Sequence, residues 1–526
     1  MSALSARIGA FFADPNPILV KELRGTFRTA LFVRFLYLST GVIALLVLAI
    51  GALGVSDDVP PATVGRVLFQ IFLGAGLFVI TIVAPGYASA AITAEREQET
   101  WESLELSGMS AWRIVWGKLA ACYASIALVL VALSPIVGIA FLFGGVSPGE
   151  VLVGFASLMV ALVPAVAFGI AISARLRSTR IAVVLATVSF APLVVMGLSL
   201  MIVLGEKAAL EWGIGTDGPF FYTEAFVTRL GEIDNWILLL GLPLYVLGMP
   251  SWFLIASAVS GLRAPADDRA GPMKIWAIAM SLTSAPIAAA VVSQAGMSED
   301  WAVAAVMLLA VLLLVYGLLF TNEPALPSRG WIARQARLPR WRQALGVFGA
   351  GAAGTMRFSM VLSMLTAVMF TAAVIASRHV FGHASERENL ACALLAADGL
   401  VVSVLAASMG AWVRIGSRSG LAARVATLAS LAAASVLPFL VALLIDIHAI
   451  RHLDRETPYV VMLSPLHPVV VAARVMENRA GDAAEVAISL GLYAGLAMAF
   501  VVLVELAVRR LAREDAARRA RFQGAP

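Results

Sequence analysis

Charge is what this sequence has least of. Only 13% of its residues are Asp, Glu, Lys or Arg while 60% are hydrophobic, whereas soluble domains carry about a quarter charged residues. A soluble globular protein is thereby excluded, and the mean hydropathy of +0.91 says the same. Cysteine is almost missing: Cys122 and Cys392 stand alone inside separate apolar runs, which excludes a disulfide framework and a thiolate metal site. The five histidines, His379, His383, His448, His452 and His467, all lie between apolar runs. Two pairs have four-residue spacing, which would permit a metal, but neither has a supporting carboxylate helix, and no metal is expected. A phosphate loop is also lacking. The nearest match, Gly117-Lys118, is followed by Leu119 and has Trp112 where the first glycine is required. No catalytic constellation stands out, so the chain reads as a non-enzyme that binds no cofactor itself. The short apolar–polar alternation of membrane barrel strands is missing too.

What is present in abundance is long apolar runs. A helix rises about 1.5 Å per residue, so a hydrocarbon core of about 30 Å needs roughly 20 apolar residues. Runs of that kind fall at 35–54, 67–92, 119–143, 151–174, 181–204, 236–260, 275–293, 301–320, 358–377, 391–413, 425–445 and 486–508. The expected fold is all-α, a polytopic membrane protein of about twelve transmembrane helices. The first run is longer than a signal-peptide core and has no convincing cleavage site, so it is expected to stay as a span.

Orientation follows from lysine and arginine. With the N-terminus placed inside, 29 of the 38 Lys and Arg residues fall in inside segments. The positive-inside rule then gives an N-in, C-in protein of the inner or plasma membrane. Because this excess flanks membrane ends, it reads as a topology signal and not as a nucleic-acid footprint.

The polar segment 262–274 divides the chain into two sets of six spans, 31–261 and 275–508, followed by a basic tail, 509–526. In each half the loop after the second span is long, the fourth-to-fifth loop is short and basic, and the fifth-to-sixth loop is the longest outside one. A duplicated six-helix unit is plausible on that pattern. The long outer loops carry Pro219-Phe220-Phe221 and Ser464-Pro465-Leu466-His467-Pro468. Each opens a turn, after which Tyr222–Leu230 and Val469–Met476 form short interfacial helices or remain solvated loop. Within residues 1–30, Asn16 and Pro17 read as an N-cap and a first helical residue. Leu19, Leu23 and Phe27 share one face of the helix so started, and Lys21, Arg24 and Arg28 lie on others. Such a helix would lie along the inner membrane surface, against lipid; an ordinary basic flank is the alternative.

One charged run interrupts this apolar chain, between the second and third spans. Along 94–106, Glu95, Glu99 and Glu102 fall at i, i+4 and i+7, which on one helix stacks three carboxylates on a single face, with Trp101 and Leu104 on another. Anionic headgroups repel carboxylates, and an aromatic beside them suits a protein partner with complementary charge and an apolar pocket. A solvated loop is the alternative.

The run Ala94-Glu95-Arg96-Glu97-Gln98-Glu99-Thr100-Trp101-Glu102-Ser103-Leu104, with Ser107-Gly108-Met109-Ser110 and Trp116-Gly117-Lys118-Leu119 after it, resembles the cytoplasmic signature of ABC-2 type permeases. That pattern has Glu-Arg-Glu, Gly-Thr and acidic-Leu-Leu, then a Pro-x-Ser turn and Gly-Lys. Here Glu99 stands where glycine is usual and Met109 where proline is usual. Asn16–Arg24 is similar to the family's amphipathic helix before the first span, and Ser464-Pro465 to the turn before its outer re-entrant helices. The resemblance is strongest over 15–180, weaker to 261 and architectural beyond. It implies a membrane permease subunit, an exporter, whose coupling helix at 94–108 sits in a cleft of a separate cytoplasmic ATPase that binds ATP and magnesium. The residues carried over to that contact are Glu95, Arg96, Glu97, Glu99, Thr100, Trp101, Glu102, Leu104 and Lys118. Twelve spans would let one chain form a pseudo-dimer with two ATPases; a homodimer is the alternative.

The second half has no Glu-Arg-Glu run. Its loop 321–357 carries Arg329, Arg334, Arg337, Arg340 and Arg342 with Trp331 and Trp341, readable as an altered ATPase contact or as a basic patch on anionic lipid. Asp398 lies about seven residues inside the tenth run. A carboxylate there costs about 2.5 to 3.5 kcal/mol on insertion scales, so it either lines a substrate path or is a protonated structural group. Glu505 precedes Arg509 by one turn, a structural i, i+4 pair. Pro85, Pro135, Pro164, Pro192, Pro243 and Pro438 predict kinks within spans. Two rival functions remain: a secondary transporter driven by an ion gradient, and a non-transporting scaffold or membrane enzyme.

Overall fold

A computed structural model describes residues 16–523, apart from 31–32, 35–36, 39, 43, 46–47, 50–59, 213–219, 221, 264–267, 294–299, 322, 381–384, 418, 446–458 and 477–482. The described residues are helical with no strand, an all-α polytopic membrane protein. Among them eleven helices are long and apolar enough to cross a membrane, and each matches one expected run. The run expected at 35–54 lies largely outside the described residues. The chain divides into two compact units, Met1–Arg263 and Ala264–Pro526, a boundary inside the polar segment 262–274.

The first unit begins with α1 (Pro17–Arg28). Asn16 caps it by accepting the Ile18 N–H at 3.1 Å, and Pro17 supplies a pre-set φ at the first turn. Its second span is α2 (Pro61–Phe78) running into α3 (Ala84–Glu97), and a short α4 (Trp101–Leu106) follows. The third span is α5 (Ala111–Ala132) with α6 (Ser134–Phe143). The fourth is α7 (Pro148–Ser173), started by a reciprocal capping box between Ser147 and Glu150. The fifth is α8 (Thr179–Trp212). After it come the short α9 (Tyr222–Thr228) and the sixth span, α10 (Leu242–Leu262). The fourth span is central: α7 packs on α3, α10, α5, α8 and α9. Gly169 makes its closest approach possible, since a Cβ there would lie 2.4 Å from the Pro85 carbonyl oxygen. Small residues at such crossings let helix backbones meet where lipid offers no hydrophobic driving force.

The second unit repeats that arrangement within itself. Its spans are α11 (Gly271–Val292), α12 (Asp300–Leu319), α15 (Ala352–Val380), α16 (Glu386–Gly416), α17 (Gly420–Ile445) and α19 (Ala483–Gln523), with α13 (Arg329–Ala336) and α14 (Arg340–Ala344) between α12 and α15, and α18 (His467–Met476) before α19. Here too the fourth span, α16, is central, packed on α12, α19, α15, α18 and α17. A Cβ on Gly317 of α12 would lie 2.6 Å from the Ser403 oxygen of α16. In both units a short helix after the proline turn of the fifth-to-sixth loop, α9 or α18, packs on the fourth span. The expected short helices are therefore formed, α18 from His467 onward, with His467, Pro468 and Arg474 buried.

The proline expectations divide evenly. A π-helical segment, Val79–Val83, precedes Pro85, and another, Trp236–Gly241, precedes Pro243, while α5 stops at Leu133 just before Pro135. A π turn shifts the hydrogen-bond register and absorbs the carbonyl that proline leaves without a donor. At Pro164, Pro192 and Pro438 the α-helix runs on without such a break. Glu505 bonds Arg357 Nε at 2.7 Å instead of pairing with Arg509. This corrects the local pair: Arg357, 148 positions earlier, is bidentate, a geometry an i, i+4 neighbour rarely reaches.

Candidate functional site

The charged run between the second and third spans of the first unit is built around a buried lysine. Lys118 lies in the second turn of α5 with its side chain fully shielded, and its ammonium meets three acceptors: Glu22 at 3.0 Å, Glu95 at 3.0 Å and the Ala91 carbonyl at 2.8 Å. Two of these contacts are hydrogen bonds, to Glu22 and to the Ala91 carbonyl, and the third is an ion pair with Glu95. Lys21, largely exposed, adds a looser contact to Glu95 at 3.5 Å. Two lysines thus face two carboxylates, a neutral set that makes burial of Lys118 tolerable.

Glycine at 117 explains how α1 comes so near. A Cβ there would lie 2.9 Å from both Asn16 Nδ2 and Ile18 Cβ, and Asn16 Nδ2 donates to the Arg113 carbonyl at 2.8 Å. The Gly-Lys dipeptide therefore works as a unit, in which the glycine admits α1 and the lysine holds its Glu22. On α1 itself Ile18 is buried against α5, Leu19 and Leu23 are half-buried, and Lys21, Arg24 and Phe27 are exposed.

The expectation of one continuous helix with Glu95, Glu99 and Glu102 on a shared face is overturned. α3 stops at Glu97 and α4 starts at Trp101. Between them Glu99 takes a left-handed φ of 58°, the Thr100 N–H reaches back to the Glu95 carbonyl at 2.9 Å, and the Glu99 N–H reaches the Arg96 carbonyl at 3.3 Å. This is a Schellman-type helix end, whose left-handed position is usually glycine. Glutamate is a good helix former, which is why local propensity suggests continuation.

The three residues of Glu-Arg-Glu point to three different neighbours. Glu95 joins the Lys118 set. Arg96 donates to the Leu176 carbonyl at 2.9 Å and lies over the Trp101 ring at 5.3 Å. Glu97 accepts the Thr179 N–H at 2.8 Å and so caps α8. Trp101 is half-buried against the unit's core and Leu104 is half-buried. The exposed residues of the segment include Gln98, Glu99, Thr100, Glu102, Ser103, Ser107 and Leu106, the last 87% exposed. The segment 98–110 is thus a knob whose outer face carries acidic and apolar residues, clamped at its root. Sequence analysis did not single out Glu22, which lies one turn after the buried Ile18 on α1.

Asp398 is placed in the central α16 and is buried, with no ion pair among the described residues. Its neighbour Gly399 abuts Ala310 of α12. Among the described residues no group of three or more His, Cys, Asp or Glu is arranged to hold a metal; His383, His448 and His452 lie outside them. At the far end of α15, Arg378 forms a buried ion pair with Glu388 of α16, and His467 lies 3.5 Å from Glu485. Neither pair was predicted, because the partners are separated by loops whose closure no local pattern encodes. No family model, characterised protein or solved structure matches the chain.

Proposed function

We propose that the chain is the membrane permease subunit of an ABC-2 type transporter, an exporter of the inner or plasma membrane with both termini inside, working with separately encoded ATPase subunits that carry ATP and magnesium. The observation that carries this reading is the knob at 98–110: a short helix presented on a turn, acidic and apolar outside, anchored by Lys118, Glu95 and Glu97 to α1, α5 and α8. A push on α4 would be passed to three elements at once through contacts that are already made. ATP can shift the permease between arrangements only through contacts that differ between them, and the exposed part of the knob is where an ATPase cleft would enter.

The division of labour within Glu-Arg-Glu defines the test. Glu99→Lys with Glu102→Lys reverses charge on the exposed face and leaves the buried ion set intact. The ATPase subunit is expected to stop co-purifying while the permease keeps its thermal stability. Undiminished co-purification would place the contact elsewhere. Asp398 supports one other reading, a proton- or ion-coupled transporter, because a buried carboxylate with no ion pair among the described residues can exchange a proton. Transport in sealed vesicles that persists without ATP and collapses with an ionophore would favour it.

A further inference from the structure

We infer that the arginine hairpin between α12 and α15 of the second unit is a docking surface for anionic phospholipid, an assignment that does not rest on the ATPase reading. The segment between Glu323 and Glu386 contains no acidic residue, yet it holds Arg329, Arg334, Arg337, Arg340 and Arg342 before α15 begins. Arg329, Arg337 and Arg340 make no ion pair among the described residues, and Arg342 lies over the Trp341 ring at 4.8 Å. Alongside these cations Trp341 is 62% exposed and Leu345 57%.

The hairpin is preformed. Gln335 Nε2 donates to the Arg342 carbonyl at 2.8 Å, and Gln343 Nε2 to those of Ala336 and Leu338 at 3.1 and 2.8 Å. At its base, Lys274 of α11 donates to the Phe348 and Gly349 carbonyls at 2.8 and 2.7 Å. Both flanking helices are membrane spans, and α13 starts ten residues after Leu319, so the hairpin is held within reach of the headgroups. A rigid cluster of guanidinium groups with an exposed indole, tethered there, matches a layer of phosphates above acyl chains. A cytosolic protein would have to displace that layer.

The test uses the full chain in nanodiscs, with an environment-sensitive fluorophore on Trp341→Cys or, as a second placement, on Leu345→Cys; Cys122 and Cys392 are buried. Phosphatidylglycerol is titrated into phosphatidylcholine. The emission is expected to shift to the blue and to be quenched by brominated acyl chains as the anionic fraction rises. Each Arg→Gln change in the hairpin should weaken the preference for phosphatidylglycerol by about five-fold, and all five together should abolish the response. An emission indifferent to phosphatidylglycerol at both sites, or a response that survives in the five-glutamine variant, would overturn the assignment. So would shielding of the label from an aqueous quencher by the ATPase subunit in discs free of anionic lipid, which would identify a protein as the occupant.

Discussion

The two units share one helix arrangement and differ in what they place between their second and third spans. In the first, that segment is an acidic knob clamped by ion pairs, with Lys118 holding Glu22 and Glu95. In the second it is an arginine hairpin clamped through backbone carbonyls by Lys274. Both interiors use hydroxyls and ion pairs: in the first unit Ser173 Oγ accepts the Ile92 N–H at 2.9 Å and Tyr123 donates to the Met159 carbonyl at 3.2 Å, while the second holds the buried Arg378–Glu388 pair. The second unit also ties its spans with hydroxyls: Thr366 to Ser281 at 2.7 Å, Ser281 to Tyr316 at 3.0 Å and Ser363 to Ser403 at 2.9 Å. The contrast teaches that the central fourth span sets the architecture, while the connecting segments are free to take opposite charge. Only one of the two carries the geometry of the proposed motor contact.

Removing Lys118 should separate the units most sharply. Lys118→Met leaves the half-buried Glu22 without a cation and Glu95 with only the looser Lys21 contact, and is expected to cost about 3 kcal/mol, measured as thermal unfolding of the purified protein. Adding Glu22→Gln and Glu95→Gln to it should restore much of the loss, because a fully neutral set has no charge to strand. Gly169→Val comes next. Overpacking against Pro85 and Ala88 should cost about 1–3 kcal/mol or more, whereas Gly197→Ala, with nothing within 4 Å of its added Cβ, should cause no loss in the same assay and a gain of up to about 1 kcal/mol from helix propensity. In the second unit Ser363→Ala should cost only about 0.6 kcal/mol, the typical worth of a hydrogen bond between membrane helices. An equal loss from Ser363→Ala and Lys118→Met would erase the contrast.

Two smaller effects sharpen it. Glu99→Gly relieves a left-handed backbone but loosens the unfolded chain, for an expected gain of about 0.5 kcal/mol. Near the hairpin base, burial first and Asp268 second hold the Glu323 carboxyl above its usual range, against the pull of Lys274. A carboxyl raised in the fold contributes stability fully present below its unfolded pKa, and that contribution is lost as pH rises through the folded value. Glu323→Gln should therefore stabilise the protein at neutral pH and make no difference below the ordinary carboxylate range; the opposite pH order in unfolding scans would refute this.

The spans were legible because bilayer thickness dictates their length, and eleven of the expected runs appear as helices. The start of α1 was equally readable, since Asn16 and Pro17 act within two residues of their targets. The interior of the candidate site was not. Glu95 takes its partner from Lys118, 23 residues on, and shares it with Glu22, 73 residues back, so no helical spacing reveals the set. The helix end at Glu99 was hidden for the opposite reason: a residue with good helix propensity occupies a position where glycine would have announced the turn.

The most direct test of the proposed motor seat is protection of a single thiol. Ser107→Cys is labelled with a membrane-impermeant maleimide in sealed inside-out vesicles, with and without the ATPase subunit. The account predicts rapid labelling in its absence and strong protection in its presence. Labelling from the opposite side of the membrane, or labelling unaffected by the ATPase subunit, would contradict it.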